Sequence, residues 1–167
     1  SNFVLYLEMS AKTIYKELSM LVNLKEDRMA EAWNDLIEAQ VLIGSVIRNH
    51  PLNGDSLTGY LQRLDVYEKL LFPQMMFSSV GGIVKKSECS ICRTNYDDCD
   101  HIKGKFYMGE MCCRIISEME LEEVSMVENP ANKGCRALNI QDSNGDIIDL
   151  MTLRKIDNDK PNNLASK

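Results

Sequence analysis

Cys89, Cys92, Cys99 and His101 lie within thirteen positions of one another, in the stretch Cys89-Ser90-Ile91-Cys92-Arg93-Thr94-Asn95-Tyr96-Asp97-Asp98-Cys99-Asp100-His101. Cys-x2-Cys lets two thiolates reach one ion from a tight turn whose backbone amides donate to sulfur, and Cys99-x-His101 supplies a second pair. Thiolates with an imidazole suit a borderline-soft cation in tetrahedral geometry, so the stretch reads as a site for one Zn2+ ion. Four protein ligands close the coordination shell, which makes the predicted zinc structural, not catalytic. Its binding, worth ~10–16 kcal/mol in small zinc modules, would let a small β-rich lobe fold without a large core.

Other reactive side chains are weighed against this set. Cys112 and Cys113 are adjacent, and neighbours on a strand point to opposite faces, so one of them, Cys112, could replace Cys99 or His101. Cys135 reads as a small buried apolar residue. His50, before Pro51, reads as an exposed loop residue. The acidic run Glu118, Glu120, Glu122, Glu123 has no base, nucleophile or ligand of matching spacing, and reads as a solvated strand face.

The elements that must position the site follow from apolar spacing. Ser10 is a candidate N-cap for a short first helix carrying Ile14, Leu18, Leu21 and Val22 on one face. Met29, Trp33, Leu36, Gln40, Ile43 and Ile47 recur at intervals of 4, 3, 4, 3 and 4, predicting a second helix over 25–48 with a packing seam. After a loop over 49–56, Leu57, Tyr60, Leu61, Leu64, Tyr67 and Leu71 mark a third helix that Pro73 stops. Helices two and three are expected to fold back on each other with helix one alongside.

Beyond Phe77 the pattern changes to short runs. Gly81-Gly82 reads as a hinge or turn, placing the module boundary near 78–83. Phe106-Tyr107-Met108 and Cys112 to Ile116 flank Gly109-Glu110 as two strands around a tight turn, and Val124 to Val127 and Arg136 to Ile140 read as further strands. Asn144-Gly145 predicts a type I′ turn before a return strand over 147–153. The expected fold is therefore α+β: a helical hairpin or bundle over 1–80, a zinc-binding antiparallel β lobe over 81–156, and a disordered tail over 157–167.

Composition narrows the function classes. Apolar residues make up 44% and charged residues 26%, a globular balance. The net charge of −6 is spread evenly, with 7 basic and 10 acidic groups in residues 1–77 and 12 and 15 in the rest. Lys103 and Lys105 are only a pair, so a polyanion-binding surface is not expected. No run reaches the roughly 18 apolar residues of a membrane span. The apolar run Phe3 to Leu7 has no basic lead or cleavage site and does not read as a secretory signal. Six cysteines without such a signal favour metal binding in a reducing cytoplasm.

One segment resembles a known family. Glu123-Val124-Ser125-Met126-Val127-Glu128-Asn129-Pro130-Ala131-Asn132, followed by Ala137 and Leu138, resembles the E-V-S-x-V-x-x-P-A-N segment near the end of the protease core in tailed-phage prohead (head-maturation) proteases. Cys99 to Gly109 is similar to a C-x-H-I-x-G-x-x-Y-x-G stretch that can precede it. The similarity covers residues 99–140. The family is one of serine proteases with a β-rich, herpesvirus-protease-like fold, whose His and Ser lie upstream of the matched segment. Here the upstream region is the helical module, and His101 precedes Ser125 by only 24 residues, so no catalytic role carries over to any residue.

The resulting expectation is a non-enzymatic, zinc-stabilised interaction or structural protein of phage, prophage or bacterial origin, in the host cytosol or on a virion. Its helical module would meet a protein partner or a second copy. A prohead-protease-like serine hydrolase using Ser125 or Ser117 with a metal-free His101 is the alternative. A zinc-dependent nucleic-acid-binding module, with Arg93, Lys103 and Lys105 on one face, is a second.

Overall fold

A computed structural model describes residues 1–49 and 55–156 of the 167-residue chain. His50 and most of the loop around it, and the predicted tail over 157–167, lie outside the described residues. Three helices are followed by antiparallel two-stranded sheets, the α+β class expected.

Helix α1 (Asn2–Lys25) is longer than the sequence pattern predicts. Ser10 is not its cap: its hydroxyl donates to the Tyr6 carbonyl one turn back, at 2.9 Å, inside a helix that begins at Asn2. The apolar stripe of Ile14, Leu18, Leu21 and Val22 also faces solvent. The opposite stripe, Met9, Thr13, Glu17, Met20 and Asn23, is the buried one. Its polar members tolerate burial because they are paired, which apolar counting cannot anticipate. Glu17 accepts from the Arg63 guanidinium at 2.8 Å and from the Tyr60 hydroxyl. Asn23 donates to Asp35 at 2.8 Å, and Lys16 and Ser19 reach the same carboxylate at 2.9 and 2.6 Å.

Helix α2 (Met29–Asn49) is the central element, with α1 along one side and α3 (Asp55–Leu71) on another. Of its predicted seam, Trp33, Leu36 and Ile43 are buried and Met29, Gln40 and Ile47 partly so. Leu64 is the buried residue of α3, and the chain leaves that helix at Phe72 and Pro73. Phe72 meets the Trp33 ring edge-on at 5.3 Å and Phe77 stacks on it at 6.1 Å, so one indole joins the helices to the first strand. Offset and edge-on aromatic pairs of this kind add about 0.5–1.5 kcal/mol beyond area burial.

That strand, β1 (Phe77–Cys89), pairs antiparallel with β4 (Arg114–Val127) as a long two-stranded ribbon. Gly81-Gly82 is therefore not a hinge. It lies mid-strand at a register shift in which Gly81 opposes Glu123 and Gly82 opposes Leu121. The bulge brings β4 so close that a Cβ on Gly82 would sit 2.4 Å from the Glu120 carbonyl oxygen. Glycine is used here for close backbone approach. The two strands read at 112–116 and 124–127 are the two ends of one strand, and the acidic run between them is exposed as expected.

Strands β2 (Phe106–Tyr107) and β3 (Glu110–Met111) form a hairpin where one was predicted, but its turn is Met108-Gly109, both at positive φ, and its return strand is Glu110–Met111, not the 112–116 run, which leads into β4. Strands β5 (Asn139–Gln141) and β6 (Ile147–Asp149) form another. Its turn differs from the type I′ expectation. Of Asn144 and Gly145 only the glycine has positive φ, and Gly145 N donates to the Asp142 carbonyl while Asp142 N donates to Asp146. The Asp142 carboxylate fixes this longer loop by accepting from Asn144 N and Asp146 N at 2.8 and 2.9 Å. Cys135 is exposed, against the buried reading, because its segment runs along the outer start of β1, where its carbonyl accepts from Ser78 N at 2.8 Å.

Candidate metal centre

The end of β1 builds the first half of the site. Cys89 is its last residue and is fully buried. The chain then turns back so that Arg93 N donates to the Cys89 carbonyl and Cys89 N to the Thr94 carbonyl, each at 2.9 Å. Arg93 closes this knuckle in the left-handed region, at φ +61°. Inside the turn, Ile91 N points at the Cys89 sulfur at 3.4 Å, and the exposed Cys92 sulfur lies 3.1 Å from the Thr94 hydroxyl.

The second half follows a single 3-10 turn over Tyr96–Asp98. Cys99 and His101 are half-buried; His101 N donates to the Cys99 sulfur at 3.2 Å, and His101 Nδ1 stands 3.5 Å from the same sulfur. Tyr107 meets the imidazole edge-on at 4.6 Å, limiting its tilt. The ligand atoms of Cys89, Cys92, Cys99 and His101 all lie within 4.8 Å of one another, so the four residues chosen by spacing converge on one point and could hold a metal ion.

Thiol electrostatics fit that use. Burial pushes the Cys89 thiol up, but donation from the backbone amides of Cys92 and Ile91 outweighs it and holds the group at about 7. Hydrogen bonding from Thr94 lowers Cys92 as well. Cys99 is pushed up to about 11, chiefly by burial and further by Cys89 and Cys92, although the His101 amide opposes this. Thiolates this close cannot all ionise unless a cation neutralises them. Amide donors already aimed at two sulfurs are the arrangement expected around metal-bound thiolates.

The β2–β3 hairpin supports the site from behind. Gly104, at φ +83°, donates to the Cys112 carbonyl and Cys112 N donates to Lys105, both at 2.8 Å. Cys112 is fully buried, with its sulfur 3.8 Å from that of Cys89. Its burial, followed by the presence of Cys89, pushes this thiol up to about 11. Its neighbour Cys113 is exposed and instead fastens the strand to the knuckle, its amide donating to Ser90 Oγ at 2.8 Å and its carbonyl accepting from Ser90 N at 3.0 Å.

Two asparagines that spacing does not reveal dock this lobe on the helices. Asn49, at the end of α2, donates to the Gly104 carbonyl at 2.8 Å and accepts from Phe106 N at 3.1 Å. Asn2, at the start of α1, donates to the Phe106 carbonyl and accepts from Gly109 N, at 3.1 and 2.8 Å. Both bond backbone more than fifty residues away, and no local pattern encodes such a pairing.

Several residues of the other readings have neighbours of their own. Ser117 Oγ faces the Lys86 carbonyl at 3.4 Å, and Ser125 sits opposite Ser79 in the ribbon. The Lys105 amino group donates to the Arg48 carbonyl at 2.8 Å, and Arg93 pairs with Glu88 at 3.6 Å. Among the described residues no helix is long and apolar enough to cross a membrane. No protein-family model, curated protein or solved structure matches the chain.

Proposed function

We propose that the protein is a non-enzymatic interaction or structural protein whose β lobe is pinned by one structural Zn2+ on Cys89, Cys92, Cys99 and His101, and whose helical module joins it to a second copy. The observation that carries this reading is the outer face of α1. Val4, Leu7, Ala11, Ile14, Leu18 and Leu21 follow one another at intervals of 3, 4, 3, 4 and 3, and the large side chains among them are 43% to 65% exposed. Phe3, Tyr15 and Val22 widen this stripe. Such intervals make the seam of a helix packed on a like helix, and a face this apolar on a helix that already buries its other side calls for cover.

A second copy of α1 suits the charges. The seam's exposed charged neighbours are Glu8 and Lys12 towards one end and Lys25 at the other. Antiparallel pairing centred near Lys16 brings Glu8 of one copy towards Lys25 of the other, whereas parallel pairing stacks Lys25 on Lys25. Resemblance of residues 99–140 to a prohead-protease segment favours phage or prophage origin for such an assembly module.

Two measurements test the two halves. Sedimentation of the wild type is expected to give a dimer that Leu18→Glu converts to a monomer with its helical circular dichroism intact; a monomeric wild type removes the interaction half. Metal analysis is expected to give about one zinc per chain, lost in Cys89→Ser. Iron, or no metal, in freshly purified protein refutes the zinc half.

A further inference from the structure

We infer that Cys112 is a fifth donor to the metal, a thiol held in reserve that takes the fourth coordination position when His101 leaves it. The inference rests on the metal reading above and concerns which atoms can share the ion.

Ligand bond lengths of about 2.3 Å for sulfur and about 2.0–2.1 Å for nitrogen fix the edges of a tetrahedral zinc site at about 3.8 Å for two sulfurs and about 3.5 Å for sulfur and nitrogen. Two edges of those lengths are present, and the second of them involves a sulfur outside the cluster of Cys89, Cys92, Cys99 and His101. Cys99 Sγ to His101 Nδ1 is 3.5 Å, and Cys89 Sγ to Cys112 Sγ is 3.8 Å. An ion bound to Cys89 therefore has Cys112 at a ligand's spacing as well as His101 within the cluster. Cys112 is thus a further candidate donor, held against Cys89, for a cation that takes four.

The placement of Cys112 is built in. Its carbonyl and amide are both paired with the 104–105 segment that follows His101, and the next residue is tied twice to Ser90 in the Cys89–Cys92 knuckle. One backbone position is thus locked to both ligand-bearing segments, with its side chain fully buried against Cys89. Exchange needs no oxidant. Cys112 releases its proton to solvent as its sulfur–metal bond forms, and the imidazole nitrogen withdraws with its lone pair. The ion gains one negative ligand and keeps four bonds.

X-ray absorption at the zinc edge counts the sulfurs directly. His101→Ala loaded with zinc is expected to hold about one ion per chain with four sulfur neighbours, and Cys112→Ser to hold it with three sulfurs and one nitrogen. The double variant is expected to bind more than about tenfold more weakly than either single variant. Three sulfurs in His101→Ala, or a loss of affinity there as large as in the double variant, overturns the reserve role. His101→Asn serves for the sulfur count if the alanine variant does not fold. Failure of the wild type to take up zinc instead removes the metal reading itself.

Discussion

Replacing the two adjacent glycines of the ribbon one at a time separates a backbone requirement from a mere lack of a side chain. A Cβ at Gly82 would lie 2.4 Å from the Glu120 carbonyl oxygen and 3.2 Å from Met119 Cε. Relief requires β4 to move away by close to an ångström, which breaks the bulge register around Leu121. Overpacking of this kind costs about 1–3 kcal/mol, only partly offset by about 0.5–1 kcal/mol from removing glycine's excess freedom in the unfolded chain. Gly82→Ala is thus expected to lose roughly 1–2 kcal/mol in net terms. At Gly81 the near atoms are Glu123 Cγ at 2.8 Å and Glu123 Oε1 at 3.2 Å, all on one exposed, flexible side chain that can swing into solvent. Gly81→Ala is expected to be neutral or slightly stabilising. Urea denaturation followed by the fluorescence of Trp33, the chain's one tryptophan and a ring stacked on the first residue of β1, reads both variants. Equal midpoints for the two alanines, or a more damaging Gly81→Ala, would refute the assignment of the close approach to Gly82.

Asn49→Ala removes the bonds to Gly104 and Phe106 and leaves their backbone groups partly buried, so stability is expected to fall by about 1–3 kcal/mol; hydrogen exchange should accelerate first at Gly104 to Cys112, and uniform acceleration over the helices would contradict a docking role. Tyr60 is pushed up to about 12, chiefly by burial and then by its hydrogen bond to Glu17. Because the folded value lies above the unfolded value of about 10, its contribution is complete below pH 10 and is lost as pH rises towards 12. The stability difference between wild type and Tyr60→Phe should therefore shrink between pH 10 and 12 in denaturation experiments, and a constant difference would refute the linkage.

The three helices were legible in the sequence because apolar periodicity and Pro73 are local signals, and so was the convergence of Cys89, Cys92, Cys99 and His101 into a cluster that could hold a metal ion, because Cys-x2-Cys and Cys-x-His spacings place donors within one or two turns of chain. The face that α1 buries was not. Glu17 and Asn23 are covered because Tyr60, Arg63 and Asp35 on other helices satisfy them, while the apolar stripe chosen as structural is exposed. Gly81-Gly82 carried the composition of a turn, yet the partner strand decides that it serves close approach instead. Asn144-Gly145 looked like a two-residue turn because its composition suits one, and the Asp142 carboxylate closes a longer loop.

The sequence by itself determined the donor chemistry: which thiols and imidazole are close enough along the chain to meet, and that a small lobe after a helical module would hold them. Only the tertiary structure decided that Cys112, thirteen positions after Cys99, stands a ligand's distance from Cys89, because that distance depends on a hairpin returning over the knuckle and on Asn2 and Asn49 fixing it to the helices. Local spacing encodes which atoms can turn towards one ion. Long-range backbone pairing sets which further atoms arrive there.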